Sequence, residues 1–253
     1  MNGVSRFARL LLSALMCFVL QTALQGQQDE SLAPWKTAKY QFGFLMSGSN
    51  ARPMSDDEAS KIQTAHRAHL RKLSEAGTLK GAGPVSTPGD PRGILIYGME
   101  TLEEARALAE ADPAVRAGVF KAELYSWLGP AGIGDEFKKW KKMHPDAPFD
   151  GVPYQLVLAL RGPSATTDFT LESGEAAAGQ SAFMRKMAGQ LVAAGPFLDV
   201  DGGEKLGIFV FKAESPQEAR ALAEQNPAVQ AGLLKVEVYS LWLAKGVLEA
   251  IEP

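Results

Sequence analysis

Cysteine is almost absent from this sequence, and so is any excess of positive charge. One of the 253 residues is a cysteine, Cys17, and it lies in an apolar amino-terminal segment. If that segment is removed, the mature protein has no disulfide, no thiol nucleophile and no cysteine metal ligand. The net charge of -3 argues against a nucleic-acid partner, because nucleic-acid-binding surfaces are basic. We therefore expect an apolar core to stabilise the fold.

The apolar amino-terminal run is also short. It covers 11 residues from Leu10 to Leu20, whereas a membrane-spanning helix needs about 20. Arg6 and Arg9 precede the run and a polar, small-residue stretch follows it, which is the pattern of a secretory signal peptide. We predict a cleaved signal over residues 1–26, a secreted or periplasmic protein, and no membrane contact after cleavage. An uncleaved membrane anchor is the alternative.

What the sequence does contain is an internal repeat. Residues 93–126 and 207–240 are identical at 19 of 34 positions, at an offset of 114, and EARALAE occurs intact in both. The same offset relates YQFGFLMSG from Tyr40 to YQLVLALRG from Tyr154. Because so many identities do not arise by chance, the chain is a tandem duplication.

Each copy has the pattern of a β-α-β-β-α-β unit. Short apolar runs such as GILIYGM predict strands, and SDDEASK and TLEEARA begin predicted helices with a Ser or Thr cap. This order is ferredoxin-like, and a second copy is the simplest cover for the bare face of the sheet. We predict an α+β fold in which two ferredoxin-like repeats pack sheet to sheet as an intramolecular dimeric α/β barrel. The domains are expected at residues 36–128 and 153–246, with a linker at 129–152.

The candidate chemistry lies in the first copy. His66 and His69 are three residues apart on the first predicted helix and share a face. Asp112 begins the sequence DPAV between the second helix and the fourth strand. The simplest interpretation of Asp112 is a helix cap, because Asn226 stands at the same place in the second copy and caps equally well.

Capping does not explain why the charge is kept in one copy only. At the offset of 114, His66 corresponds to Gln180 and His69 to Phe183, so the imidazoles and the carboxylate disappear together. Joint loss is expected of a cooperating pair. A carboxylate that accepts from one imidazole nitrogen makes the other nitrogen a general base.

Three segments resemble the YCII family: AHLRKLSEAGTLKGAGP, ILIYGMETLEEARALAEADPAVRAGVF and the strand that follows them. The resemblance covers nearly the whole mature chain as two tandem domains, and it implies ferredoxin-like domains paired as a barrel. It also implies a His–Asp active site, which maps onto His69 and Asp112. The second copy departs at both positions, with Phe183 and Asn226, so that half is expected to be structural.

Three functional hypotheses follow, and whether the protein is an enzyme is open at this point. The first is a lyase or isomerase that acts on a small molecule, with His69 as the base and Asp112 as its partner, and with no cofactor. The second is a metal site formed by His66, His69 and Asp112, as in two-histidine, one-carboxylate centres. The third is a non-enzymatic binding or structural protein of the cell envelope.

Overall fold

The computed structural model describes residues 33, 35–49, 54–171, 174–198, 200 and 202–248. The predicted signal peptide lies outside the described residues. No helix in the described part of the chain is long and apolar enough to cross a membrane.

The first repeat forms a four-stranded antiparallel sheet with its helices on one face. Its sheet order is β2-β3-β1-β4, in which β1 pairs with both β3 and β4. Its elements are β1 Thr37–Ser47, α1 Asp56–Glu75, β2 Leu79–Pro84, β3 Gly93–Tyr97, α2 Leu102–Glu110, α3 Pro113–Arg116 and β4 Phe120–Pro130.

The second repeat has the same order of elements and the equivalent sheet, β6-β7-β5-β8. A linker helix, α4 Asp135–Met143, joins the repeats and hydrogen-bonds through the N–H of Phe137 to the carbonyl of Gly246. The elements that follow it are β5 Gly151–Arg161, α5 Gly174–Lys186, β6 Leu191–Leu198, β7 Lys205–Phe211, α6 Pro216–Ala223, α7 Pro227–Gln230 and β8 Leu234–Ala244.

Two seams join the sheets into one eight-stranded barrel. At one seam Trp127 of β4 pairs with Phe197 of β6, and at the other Val85 bridges to Leu241 of β8. The strands approach so closely that a Cβ on Gly195 would lie 1.7 Å from the carbonyl oxygen of Leu128. Gly83 meets Trp242 in the same way at the other seam. The glycines of the AGP sequences are therefore required by barrel closure, and the predicted fold is confirmed.

The barrel interior is a packed core to which the repeats contribute differently. The first repeat contributes aromatic rings, and Phe42, Phe44 and Trp127 are at most 1% exposed. The second repeat contributes aliphatic chains at the equivalent positions, among them Leu156 and Leu158. Separate apolar clusters fill the space between each sheet and its helices.

Candidate functional site

The His–carboxylate contact of the first repeat joins α1 to the start of α3. Nδ1 of His66 lies 2.7 Å from Oδ2 of Asp112. Both residues are buried, with exposed fractions of 7% and 2%. The pair therefore lies on the helix side of the first sheet, outside the barrel interior.

The helix-capping role of Asp112 fixes the position of its carboxylate independently of His66. Asp112 is the N-cap of α3, and its Oδ1 accepts the backbone N–H of Ala114 at 2.8 Å. Pro113 occupies the first helical position, which has no need of an N–H donor. The second oxygen, Oδ2, is left facing α1 and contacts His66. One side chain thus serves as helix cap and histidine partner together.

The surroundings of His66 define what its ring can do. The edge of the ring meets Phe120 at a centroid distance of 5.7 Å. An ionised Asp112 only accepts hydrogen bonds, and in that state Nδ1 is the nitrogen that donates in this contact. Among the described residues none is hydrogen-bonded to Nε2 of this buried ring.

Tyr97 lies in the same region, at the end of β3, and is 1% exposed. Burial raises the pKa of the Tyr97 phenol, and the negative charge of Asp112 raises it further. Tyr97 was not among the site residues predicted from the sequence. A signal was present, because Tyr97 becomes Phe211 at the offset of 114, so its hydroxyl is lost together with the imidazoles and the carboxylate.

The predicted partner of Asp112, His69, lies elsewhere. Its Nε2 is 3.1 Å from the carbonyl oxygen of Leu108 on α2, and Asp112 is bonded to His66 instead. His69 comes three residues later on α1, about 4.5 Å further along the helix, and there it meets the last turns of α2 rather than the cap of α3. The structure therefore corrects the expected His69–Asp112 contact. The catalytic role assigned to these residues stays a prediction.

The metal hypothesis required His66, His69 and Asp112 to converge. Only His66 and Asp112 are in contact, and His69 is bonded to a backbone carbonyl. No group of three or more His, Cys, Asp or Glu residues that could hold a metal ion occurs in the part of the chain that the structure describes.

The second repeat forms the same contact without charge. Nδ2 of Asn226 donates to Oε1 of Gln180 at 2.8 Å, and Oδ1 of Asn226 caps α7 through the N–H of Ala228 at 2.9 Å. Both pairs span 46 residues of sequence and are buried. Phe183, the counterpart of His69, is buried against Phe209. The neutral pair therefore joins α5 to the start of α7, which are the equivalents of α1 and α3.

Comparison with known proteins identifies the repeated domain. The YCII-related domain family matches residues 44–127 and 169–242, which together exceed half of the chain. No curated protein sequence matches the chain.

Two solved structures illustrate the fold. A mutant chlorite dismutase from Candidatus Nitrospira defluvii, in complex with cyanide, is 10% identical at a TM-score of 0.52, covering 85% of this chain and 94% of its own. A heme-binding protein from Thermus thermophilus is 16% identical at a TM-score of 0.47, covering 83% and 93%. At such identities the chlorite dismutase shows the fold alone, and the weaker match adds nothing to it.

Proposed function

The chain belongs to the family of YCII-related domains, and on that premise we propose that it is a lyase or isomerase acting on a small molecule, with His66 as its general base. The observation that carries the proposal is the 2.7 Å contact between His66 Nδ1 and Asp112 Oδ2 in the first repeat. The second repeat has the neutral Gln180–Asn226 pair in its place. Export through the predicted amino-terminal signal is part of the proposal.

The second repeat supports a role for the charged pair beyond holding helices together. Gln180 and Asn226 make the same tie, and Asn226 caps its helix as Asp112 does. The tie therefore does not need an imidazole or a carboxylate. A buried imidazole oriented by a carboxylate is the arrangement that general bases use, because the carboxylate fixes the tautomer and stabilises the imidazolium.

In the proposed reaction, Asp112 accepts the Nδ1 proton of His66, and Nε2 presents its lone pair. Nε2 takes a proton from a carbon next to a carbonyl group, and the electron pair of the broken C–H bond moves into an enolate. In an isomerase the imidazolium returns the proton to a different carbon. In a lyase the electron pair of the enolate expels a leaving group from the neighbouring carbon.

The proposal is tested without knowing the substrate by following hydrogen exchange. The full chain would be incubated in D2O with a panel of small carbonyl compounds, and loss of C–H signals followed by NMR. We expect at least one compound to exchange faster with the protein, and His66→Gln to slow that exchange by about 10²- to 10⁴-fold. The matched control is His66→Gln with Asp112→Asn, which rebuilds the neutral pair of the second repeat and should fold equally well.

The tautomer of His66 gives an independent check. Nitrogen-15 NMR distinguishes a ring protonated at Nδ1 from one protonated at Nε2. We expect the proton on Nδ1 in the unaltered chain, because Asp112 accepts it there. A neutral ring with its proton on Nε2 would contradict the proposal, since no lone pair would then face a substrate.

A binding protein without catalysis is the second candidate. It is favoured by one observation: the cleft of about 720 Å³ between the repeats is lined by neither His66 nor Asp112. If the protein only binds its ligand, it does not accelerate the C–H exchange of any carbonyl compound. The neutral double variant then keeps every binding property of the unaltered chain.

A further inference from the structure

Three large apolar side chains are exposed in the described part of the chain, and they lie in one region. They are Met143, Phe149 and Trp242, with exposed fractions of 69%, 55% and 44%. Met143 ends α4, and Phe149 belongs to the loop that follows it. Trp242 lies against the end of that loop, because a Cβ on Gly151 would be 3.3 Å from its indole ring. We call the surface formed by α4, this loop and Trp242 the linker face.

The loop after α4 folds back onto the helix. Nζ of Lys141 donates to the carbonyl of Ala147 at 2.9 Å, and Phe149 then meets the edge of Phe137 at a centroid distance of 5.6 Å. A recess of about 250 Å³ opens beside Trp140 and Phe149. The linker face therefore has a hollow with aromatic walls close to an exposed methionine.

The repeat supplies a covered counterpart for this exposed ring. The sequence APW at residues 33–35 recurs as APF at 147–149, at the offset of 114. Trp35 is 8% exposed and belongs to the apolar cluster between the second sheet and its helices. Phe149 stands at the same place in the second copy, but more than half of it is exposed. Clustered exposure of large apolar groups marks a surface that another molecule covers.

The charges of the linker face indicate what that molecule is. Residues 135–150 contain four lysines and four acidic residues, and Lys245 at the recess adds one positive charge. Two of these charges, those of Lys139 and Glu136, are paired with each other. A face with a large excess of one charge repels an identical face, whereas a nearly balanced face does not. The balance favours a second copy of this chain over an anionic lipid surface or a nucleic acid, which attract basic faces.

We propose that the linker face joins two copies of this chain across a two-fold axis. Met143 of each copy enters the recess of the other copy, against Trp140 and Phe149. A methionine side chain adapts to an irregular hollow, and its sulfur makes favourable contacts with aromatic rings. Interface cores are enriched in aromatic residues and methionine and have a polar rim, and a two-fold axis uses the same patch on both copies.

The proposed contact is separate from the His66–Asp112 pair. That pair joins α1 to the start of α3, whereas the linker face is built on α4 and the loop after it. The dimer therefore carries two His66–Asp112 pairs, and the pairing of the two repeats within each chain is unaltered.

The test is sedimentation velocity from about 1 to 100 µM, a range that detects micromolar association. The chain would be measured with and without residues 1–26, so that the apolar amino-terminal run is not mistaken for the interface. We expect the mass to rise from that of one chain to that of two as the concentration increases. The mass of a single chain throughout would overturn the proposal.

Substitutions locate the contact. Met143→Ser and Phe149→Ser should each weaken the dimer by about tenfold, the loss expected for an apolar anchor of an interface. Both side chains are exposed, so urea unfolding of the two variants should match that of the unaltered chain. Lys61→Ser, at an exposed position near the start of α1, is the control and should leave the dimer unchanged. Equal dimerisation of all three variants would contradict the proposal.

Charge reversal tests whether identical faces meet. Asp150→Lys makes the linker face strongly positive, and Lys142→Asp with Lys245→Asp makes it negative. Each of these chains should dimerise less than the unaltered chain, because its face repels a copy of itself. A mixture of the two should recover the dimer, since opposite faces then meet. No recovery in the mixture would overturn the two-fold arrangement.

Two further outcomes would assign the face to another occupant. A single chain that binds vesicles of phosphatidylcholine through Phe149 and Trp242 would make it a lipid contact. A dimer that forms only after removal of residues 249–253 would show that this segment covers the face in the intact chain. Either result would overturn the proposed dimer.

Discussion

The two repeats share a framework and differ in the groups that it carries. In both, a serine of the last strand donates to a glutamine of the first, Ser126 to Gln41 at 2.9 Å and Ser240 to Gln155 at 3.1 Å. Both keep a capped turn before the last strand. Contacts that appear twice hold the sheets and helices together. Groups that occur in one repeat only, such as the His66–Asp112 pair, are not needed to hold the sheets and helices together.

The comparison extends to the packing of apolar side chains. Inside the barrel the first repeat contributes Phe42 and Trp127 where the second contributes Leu156 and Leu241. On the helix side the order is reversed, and the second repeat packs Phe183 and other aromatic rings there. Because the two interior faces pack against each other, large rings on one side are matched by smaller chains on the other.

The largest expected effect comes from removing the central ring of the interior. Trp127 is fully buried, and its Nε1 donates to the carbonyl of Gly195 at 3.2 Å across the seam. Trp127→Ala should lower the free energy of unfolding by about 3–5 kcal/mol, and Leu241→Ala by less, because a smaller cavity results. Urea denaturation measures both. Equal losses would show that the two repeats contribute alike to the interior.

An intermediate effect is expected where the charged and neutral pairs differ. Asp112→Ala removes a cap and leaves His66 buried without its partner, so the unfolding free energy should fall by about 2–4 kcal/mol. Asp112→Asn keeps the cap and should cost less than half as much. Asn226→Ala should cost less than Asp112→Ala, because only a neutral amide loses its partner. Thermal or urea unfolding of the three variants checks the order, and a larger loss for Asn226→Ala would contradict it.

The smallest effect concerns pH. Burial, and then the charge of Asp112, raise the pKa of Tyr97 above the ordinary value of 10.0. Above pH 10 the unfolded chain releases a proton that the folded chain retains, so the stability that Tyr97 contributes is present below pH 10 and declines as the pH rises. The slope is at most about 1.4 kcal/mol per pH unit.

Tyr97→Phe copies Phe211 of the second repeat and should flatten this decline. Urea unfolding at about pH 9 and pH 11 measures the change. Part of the decline should remain, because the pKa values of Tyr40 and Tyr239 are also raised, in both cases mainly by burial. An unchanged slope would show that Tyr97 does not titrate differently in the folded chain.

Most of the fold could be predicted from the sequence because the pattern of each helix and strand occurs twice, once in each repeat. The caps at Ser55 and Thr101 and the order of strands follow from local patterns, and the structure has them. The AGP sequences contain the seam glycines, but they do not indicate that barrel closure requires them. Gly83 packs against Trp242, 159 residues away, and Gly195 packs against Leu128, 67 residues away, and no local pattern describes contacts at such separations.

The site was predicted only in part. Asp112 and the idea of a pair with an imidazole could be inferred from the joint change between copies. It could not be predicted which histidine forms the pair, because His66 and His69 share a helix face. The choice depends on how far α1 extends past α3. The sequence did contain a clue: Gln180 can hydrogen-bond to Asn226, whereas Phe183 cannot.

The linker helix has a consequence for how the barrel assembles. Gly134 and Phe137 donate to the carbonyls of Val247 and Gly246, which holds the connection against the end of the second repeat. Since both sheets belong to one chain, their association does not obey mass action, and dilution does not separate them. Every molecule contains one half with the charged pair and one half with the neutral pair. Within one chain two neutral halves never pair, so the second repeat is free to change without producing barrels that lack the His66–Asp112 pair.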